Sequence, residues 1–153
     1  ICGSLVAQLD SAGAAKGAVP IADPTLAERI GRIMLRRIGP EVDKVFSFDD
    51  FTFEALMLRR DDAAPEAASD LLRERTEGSD IGRGFSILLD LGTGDYQGGE
   101  ILFPEYGPHR YLPGTGGAVV YSDTLLREFR PVTAGRRCLL TTTLRRPVPA
   151  RAS

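Results

Sequence analysis

The sequence predicts an α+β domain, mainly β, in which N-terminal helices brace a sheet closed into a sandwich or barrel. Three observations predict it. Apolar residues recur at helical spacing as far as Gly39; beyond Pro40 the pattern changes to alternation and short β-branched or aromatic runs; and those runs are separated by Gly, Pro and Asp. At 153 residues the chain is expected to be a single domain over 1–153, with the helical brace at 1–45 and the barrel at 46–146.

The elements follow in order. Leu5, Val6 and Leu9 read as the end of a helix, with Gly13 and Gly17 as its break. Asp23 is placed to cap a second helix, with Pro24 at its first position. Leu26, Ile30, Ile33, Met34 and Ile38 form its apolar stripe, and Gly39 with Pro40 is expected to end it. Arg29, Arg32, Arg36 and Arg37 fall off the stripe and read as a solvated face. Strands are expected within 46–58 and at 85–91, 100–103, 118–121 and 138–144. The polar stretch 61–83 reads as a short helix around 66–75 or a loop.

Composition narrows the function. There are 19 Lys and Arg against 21 Asp and Glu, a formal net charge of −2, which argues against a broad basic face for nucleic acid. Apolar runs such as 87–91 fall far short of the roughly 20 residues a membrane span needs, so a soluble, cytoplasmic protein is expected. Cys2 and Cys138 read as buried thiols rather than a disulfide. The single histidine, His109, restricts metal chemistry, because zinc and non-haem iron sites lean on imidazole.

One stretch carries a more specific signal. Within 84–146 come Asp95-Tyr96-Gln97-Gly98-Gly99-Glu100, Phe103-Pro104-Glu105-Tyr106-Gly107, Pro113, Gly116-Gly117 and Val119-Val120-Tyr121. Pro131-Val132-Thr133 and Gly135-Arg136-Arg137 follow. In order and spacing this resembles the C-terminal half of the iron(II) and 2-oxoglutarate-dependent dioxygenases of the prolyl 4-hydroxylase type. The resemblance implies a double-stranded β-helix, a jelly roll with its site at the barrel mouth. It also implies iron held by a His-x-Asp pair and a distal His, and a basic residue gripping the far carboxylate of 2-oxoglutarate.

Carried over residue by residue, the ligand set is broken. Arg137 stands at the basic position, and ten residues before it, where the distal His is implied, stands Arg127. A guanidinium has no acceptor lone pair and does not ligate iron at neutral pH. The proximal pair falls on Ala68 and Asp70 or, in a second alignment, on Arg59 and Asp61; Asp70 is favoured because Asp61 lies close to the strand end. Neither alignment supplies a histidine, and His109 reads as an exposed loop residue.

No metal or cofactor is therefore expected. The barrel mouth reads as a pocket for a small anionic molecule, with Asp70, Arg127 and Tyr121 as candidate catalytic groups. Arg137, Arg59, Ser122 and Thr141 are the candidate ligand-binding residues. Against this, Arg127 and Arg137 could simply satisfy structural carboxylates such as Asp123 or Glu128. Two function classes remain, a redox-neutral enzyme of cyclase, lyase or isomerase type and a pseudoenzyme that binds or regulates. An active hydroxylase with atypical ligands ranks third. A homodimer is left open; nucleic acid and membrane are excluded as partners.

Overall fold

The computed structural model describes residues 5, 7, 8, 18–46, 51–64, 66–68, 84–92 and 95–145, and 70–72 by their backbone. Helix α1 spans Pro24–Phe46. The Asp23 Oδ1 accepts the N–H groups of Thr25 at 2.9 Å and Leu26 at 3.3 Å, satisfying donors that the first turn leaves open. Its buried residues include Ile30, Met34 and Val42, whereas Ile33 is 41% exposed and lies off the core-facing stripe. The helix does not stop at Gly39 and Pro40. Val42, one turn further on, is 2% exposed in the core, and a Cβ on Gly39 would meet Phe51 at 3.4 Å. That packing outweighs the roughly 3 kcal/mol by which an interior proline disfavours a helix. Leu5, Ala7 and Gln8 are helical as well, and Leu5 is buried in the same core.

The strands are β1 (Ala18–Pro20), β2 (Thr52–Phe53), β3 (Met57–Asp62), β4 (Asp70–Leu72), β5 (Gly84–Asp90), β6 (Gln97–Gly98) and β7 (Ile101–Leu102). They continue with β8 (Arg110–Tyr111), β9 (Ala118–Ser122), β10 (Arg127–Phe129), β11 (Val132–Ala134) and β12 (Arg136–Arg145). Two expectations are corrected here. Strand β1 lies inside the supposed helical brace, where it pairs with β3. Residues 70–72 are strand rather than the expected short helix or loop, because their backbone completes the edge of β10.

Among the described residues the larger sheet runs β1-β3-β12-β5-β9, with β2 against the end of β12; the smaller runs β4-β10-β7-β8, and β6 pairs with β11. Every pairing is antiparallel. Strand period two gives the larger sheet two distinct faces. Leu58, Ile87, Cys138, Leu140 and Leu144 pack with Ile30, Met34 and Val42 of the helix. On the other side Leu88, Val119 and Tyr121 meet Ile101, Phe103 and Phe129 of the smaller sheet and its flank. A mainly antiparallel β architecture, two sheets face to face with one long helix outside, is the jelly roll that the resemblance implied. Cys138 is fully buried beneath the helix, and Cys2 lies outside the described residues. No described helix is long and apolar enough to cross a membrane.

Candidate ligand site

Strands β3 and β12 are paired in a register that sets Arg137 opposite Asp61 and Leu139 opposite Arg59. Alternation then turns Arg59 and Asp61 away from the helix side that Leu58 occupies. The Asp61 carboxylate sits between two guanidiniums. Arg59 Nε–H donates to Oδ1 at 2.7 Å and Arg137 Nη2 to Oδ2 at 2.9 Å. The Arg137 side chain is 7% exposed, Asp61 15% and Arg59 41%, so the Arg137 contact is the desolvated one.

Arg137 is held from two further directions. Its Nη1 donates to the Gly99 carbonyl, and its guanidinium lies 5.7 Å over the Tyr96 ring. The Tyr96 hydroxyl donates to Asp90 Oδ2 at 2.6 Å, and Asp90 Oδ1 accepts the Gly92 N–H at 2.8 Å. Burial, and then the hydrogen bond and charge of Asp90, push the Tyr96 phenol up to about 12; the Arg137 guanidinium pulls the other way, less strongly. Among the described residues Arg137 Nε has no hydrogen-bond partner.

Arg59, Asp61 and Arg137 form one wall of a cleft of about 630 Å³. Its charged lining is Arg59, Arg60, Arg130 and Arg137 with Asp61 and Asp62, four cations against two anions, and Phe129, Pro131, Val132 and five alanines complete it. A second cleft of about 510 Å³ shares Arg130 and Pro131 with it.

Of the residues singled out in the sequence, Arg59 and Arg137 come together here. Arg127 and Tyr121 also come together, but elsewhere: neither lines the cleft. Arg127 opens β10 and is 8% exposed; its Nη1 donates to the Asp123 carbonyl at 3.3 Å, and its guanidinium lies 5.2 Å over the Tyr121 ring. Tyr121 is 5% exposed beside Phe103. Ser122 pairs in register with Phe85, whose side chain is in the helix-side core, and its hydroxyl meets Thr124 at 2.9 Å, so it does not share the face of Tyr121. Thr141 lies between Met57 and Leu88 in register.

Asp70 is opposite Phe129 of β10, and Leu72 opposite Arg127. Asp70 is thus on the strand beside Arg127, and Asp61 is in the other sheet, inside β3 rather than beyond its end. The carboxylates considered for the two arginines bind other groups. Glu128 faces Arg130 at 3.6 Å, whereas the Asp123 carboxylate accepts from Ser86 Oγ and lies 3.7 Å from Arg145. Asp61, Gly99, Tyr96 and Asp90 were not read as a unit from the sequence. The run Arg59-Arg60-Asp61-Asp62 within a strand was the available signal, since charge on consecutive strand positions needs partners on both faces.

The donor set does not fit the iron that the resemblance implies. Position 127 offers only N–H donors, already turned to a carbonyl and a ring, and position 68 offers an exposed methyl. Among the described residues no group of three or more His, Cys, Asp or Glu is arranged to hold a metal ion. His109 is exposed between β7 and β8, its ring 6.4 Å from Tyr111.

No protein-family model matches the chain, and no curated protein matches it in sequence. Solved structures do. A viral collagen prolyl hydroxylase from Paramecium Bursaria Chlorella virus-1 superposes with a TM-score of 0.72 at 16% identity, over 95% of this chain and 84% of that one. An oxidoreductase of the 2OG-Fe(II) oxygenase family from Burkholderia pseudomallei gives 0.63 at 18% identity, over 94% and 79%. A Pseudomonas putida prolyl-4-hydroxylase gives 0.62 at 17%, over 95% and 86%. The fold is therefore that of the prolyl 4-hydroxylase-like 2OG-Fe(II) oxygenases.

Proposed function

We propose that this chain is a dioxygenase-fold protein without iron-dependent oxygen chemistry, which binds a small anionic molecule in the cleft between β3 and β11. The observation that carries the reading is the cleft's lining of four arginines against two aspartates; with Asp61 taking Arg59 and Arg137, Arg130 on the opposite wall is the cation that the anion meets. Guanidiniums recognise carboxylate and phosphate through paired N–H donors, and a half-desolvated cleft strengthens each such bond. A binding or regulatory role is favoured over a redox-neutral enzyme because Arg127 and Tyr121, the candidate stabiliser and acid, do not reach this cleft.

The test uses the purified chain and inorganic phosphate, acetate, succinate and citrate at matched ionic strength. At least one of these should raise the unfolding temperature saturably, and Arg130→Ala should weaken the response. In parallel, iron(II) is titrated anaerobically and oxygen uptake is followed with 2-oxoglutarate. Stoichiometric iron with coupled succinate formation would overturn the reading in favour of a hydroxylase with atypical ligands; no response to any anion would overturn the cleft's role.

A further inference from the structure

We infer that Asp61 is the built-in occupant of a carboxylate seat made by Arg59 and Arg137, and that removing its side chain turns this seat into a binding site for a small external carboxylate. Each Asp61 oxygen takes one guanidinium donor, at 2.7 Å and 2.9 Å, which is how a protein grips a carboxylate ligand. An ordinary cross-strand ion pair accounts for Arg137, the register partner of Asp61. The second guanidinium, Arg59, stands two residues back along β3 on the same face and takes the other oxygen.

The Arg137 half of the seat is also fixed independently of Asp61. Gly99 has φ +77, and a Cβ there would come within 2.5 Å of Arg137 Nη1, so the close approach of this backbone to the guanidinium depends on glycine. The Gly99 carbonyl accepts from Nη1, while its N–H donates to the Pro131 carbonyl at 3.0 Å. On its ring side Arg137 rests against Tyr96, which Asp90 fixes in turn. A guanidinium held by a carbonyl and a ring stays aimed at the seat when the carboxylate leaves. Arg59, Asp61 and Arg137 all line the open cleft, so a ligand has a path in, and a dicarboxylate bound there directs its second group towards Arg60 or Arg130. In the wild-type protein the same geometry turns external carboxylates away from Arg137.

The inference stands on the geometry around Asp61 alone, and its outcome is separate from binding at the outer arginines. Asp61→Ala and wild type are unfolded thermally in acetate, succinate, chloride and acetamide at matched ionic strength. Asp61→Ala should gain stability with acetate and succinate but not with chloride or acetamide, with an affinity about tenfold or more above the wild type's. The gain should vanish in Asp61→Ala with Arg137→Met. Folding of Asp61→Ala only in the presence of acetate is the same result. The second measurement needs no variant: the Arg137 Nε–H resonance of the wild-type protein should not move during a succinate titration. A folded Asp61→Ala with no carboxylate-specific gain, or a saturable shift of that resonance in the wild type, overturns the inference.

Discussion

The Arg127 guanidinium lies over the Tyr121 ring at 5.2 Å and donates Nη1 to the Asp123 carbonyl, with no carboxylate beside it among the described residues. A cation at 8% exposure has lost most of its hydration. What offsets the loss is a ring quadrupole and one neutral acceptor, and Nε is left without a described partner. Arg127 is thus bound to the apolar cluster of Ile101, Phe103 and Tyr121 as a packing residue with a charge on it.

Truncation and replacement of Arg127 should therefore differ. Arg127→Ala removes the stem and both contacts, and is expected to cost about 2 kcal/mol. Arg127→Met keeps the length and discards the buried charge, and should cost less than half as much, since among the described residues no opposite charge is left behind. Urea unfolding of the two variants checks the order. Equal losses would mean that the charge, rather than the stem, holds the site.

The two arginines on Asp61 should be unequal partners. Arg137 is 7% exposed, and a double-mutant cycle of Asp61→Asn with Arg137→Met is expected to give a coupling of about 2 kcal/mol. Arg59 is 41% exposed and screened by solvent, so the cycle with Arg59→Met should give under about 1 kcal/mol. A larger coupling to Arg59 would show that the exposed contact dominates.

How far this site could be read in the sequence depends on the separation of its parts. The cap at Asp23, the strand alternation and the Pro131-to-Arg137 motif are local, and each leads to the element found there. Contacts such as Asp61 with Arg137 join residues 76 positions apart, and local patterning does not specify which carboxylate a distant guanidinium meets. The overrun of the helix past Pro40 has the same origin, since Val42 and Gly39 are held by core and sheet-side groups that a local breaker signal cannot weigh. Strand β4 falls in a stretch whose Ala, Glu and Arg content points to a short helix or a loop, whereas the backbone of β10 offers it a ladder.

Gly99→Ala tests the support behind Arg137. The added methyl would meet Nη1 at 2.5 Å, and the backbone at φ +77 is costly for any residue with a Cβ. A loss of about 2 to 3 kcal/mol is expected, and a second addition of Arg137→Met should restore part of it by removing the obstructed group. If the double variant is as unstable as the sum of the singles, the clash is not with Arg137.

Tyr96 links this support to pH. Its phenol is pushed from 10.0 up to about 12 because burial disfavours the phenolate and Asp90, which accepts the hydroxyl proton at 2.6 Å, repels it. A group raised in the folded state contributes stability that is complete below its unfolded value and is lost as pH climbs through the folded one. The contribution of Tyr96 should therefore be constant below pH 10 and fall between pH 10 and about 12. Tyr96→Phe leaves the buried Asp90 Oδ2 without that donor, so it is expected to be less stable than the wild type by about 1 to 2 kcal/mol at neutral pH. The gap should close as the wild-type phenol ionises, and a phenolate absorbance step near pH 12 should be missing from the variant. A gap that stays constant across that window would mean that the Tyr96 hydroxyl does not hold Asp90, and with it the ring on which Arg137 rests.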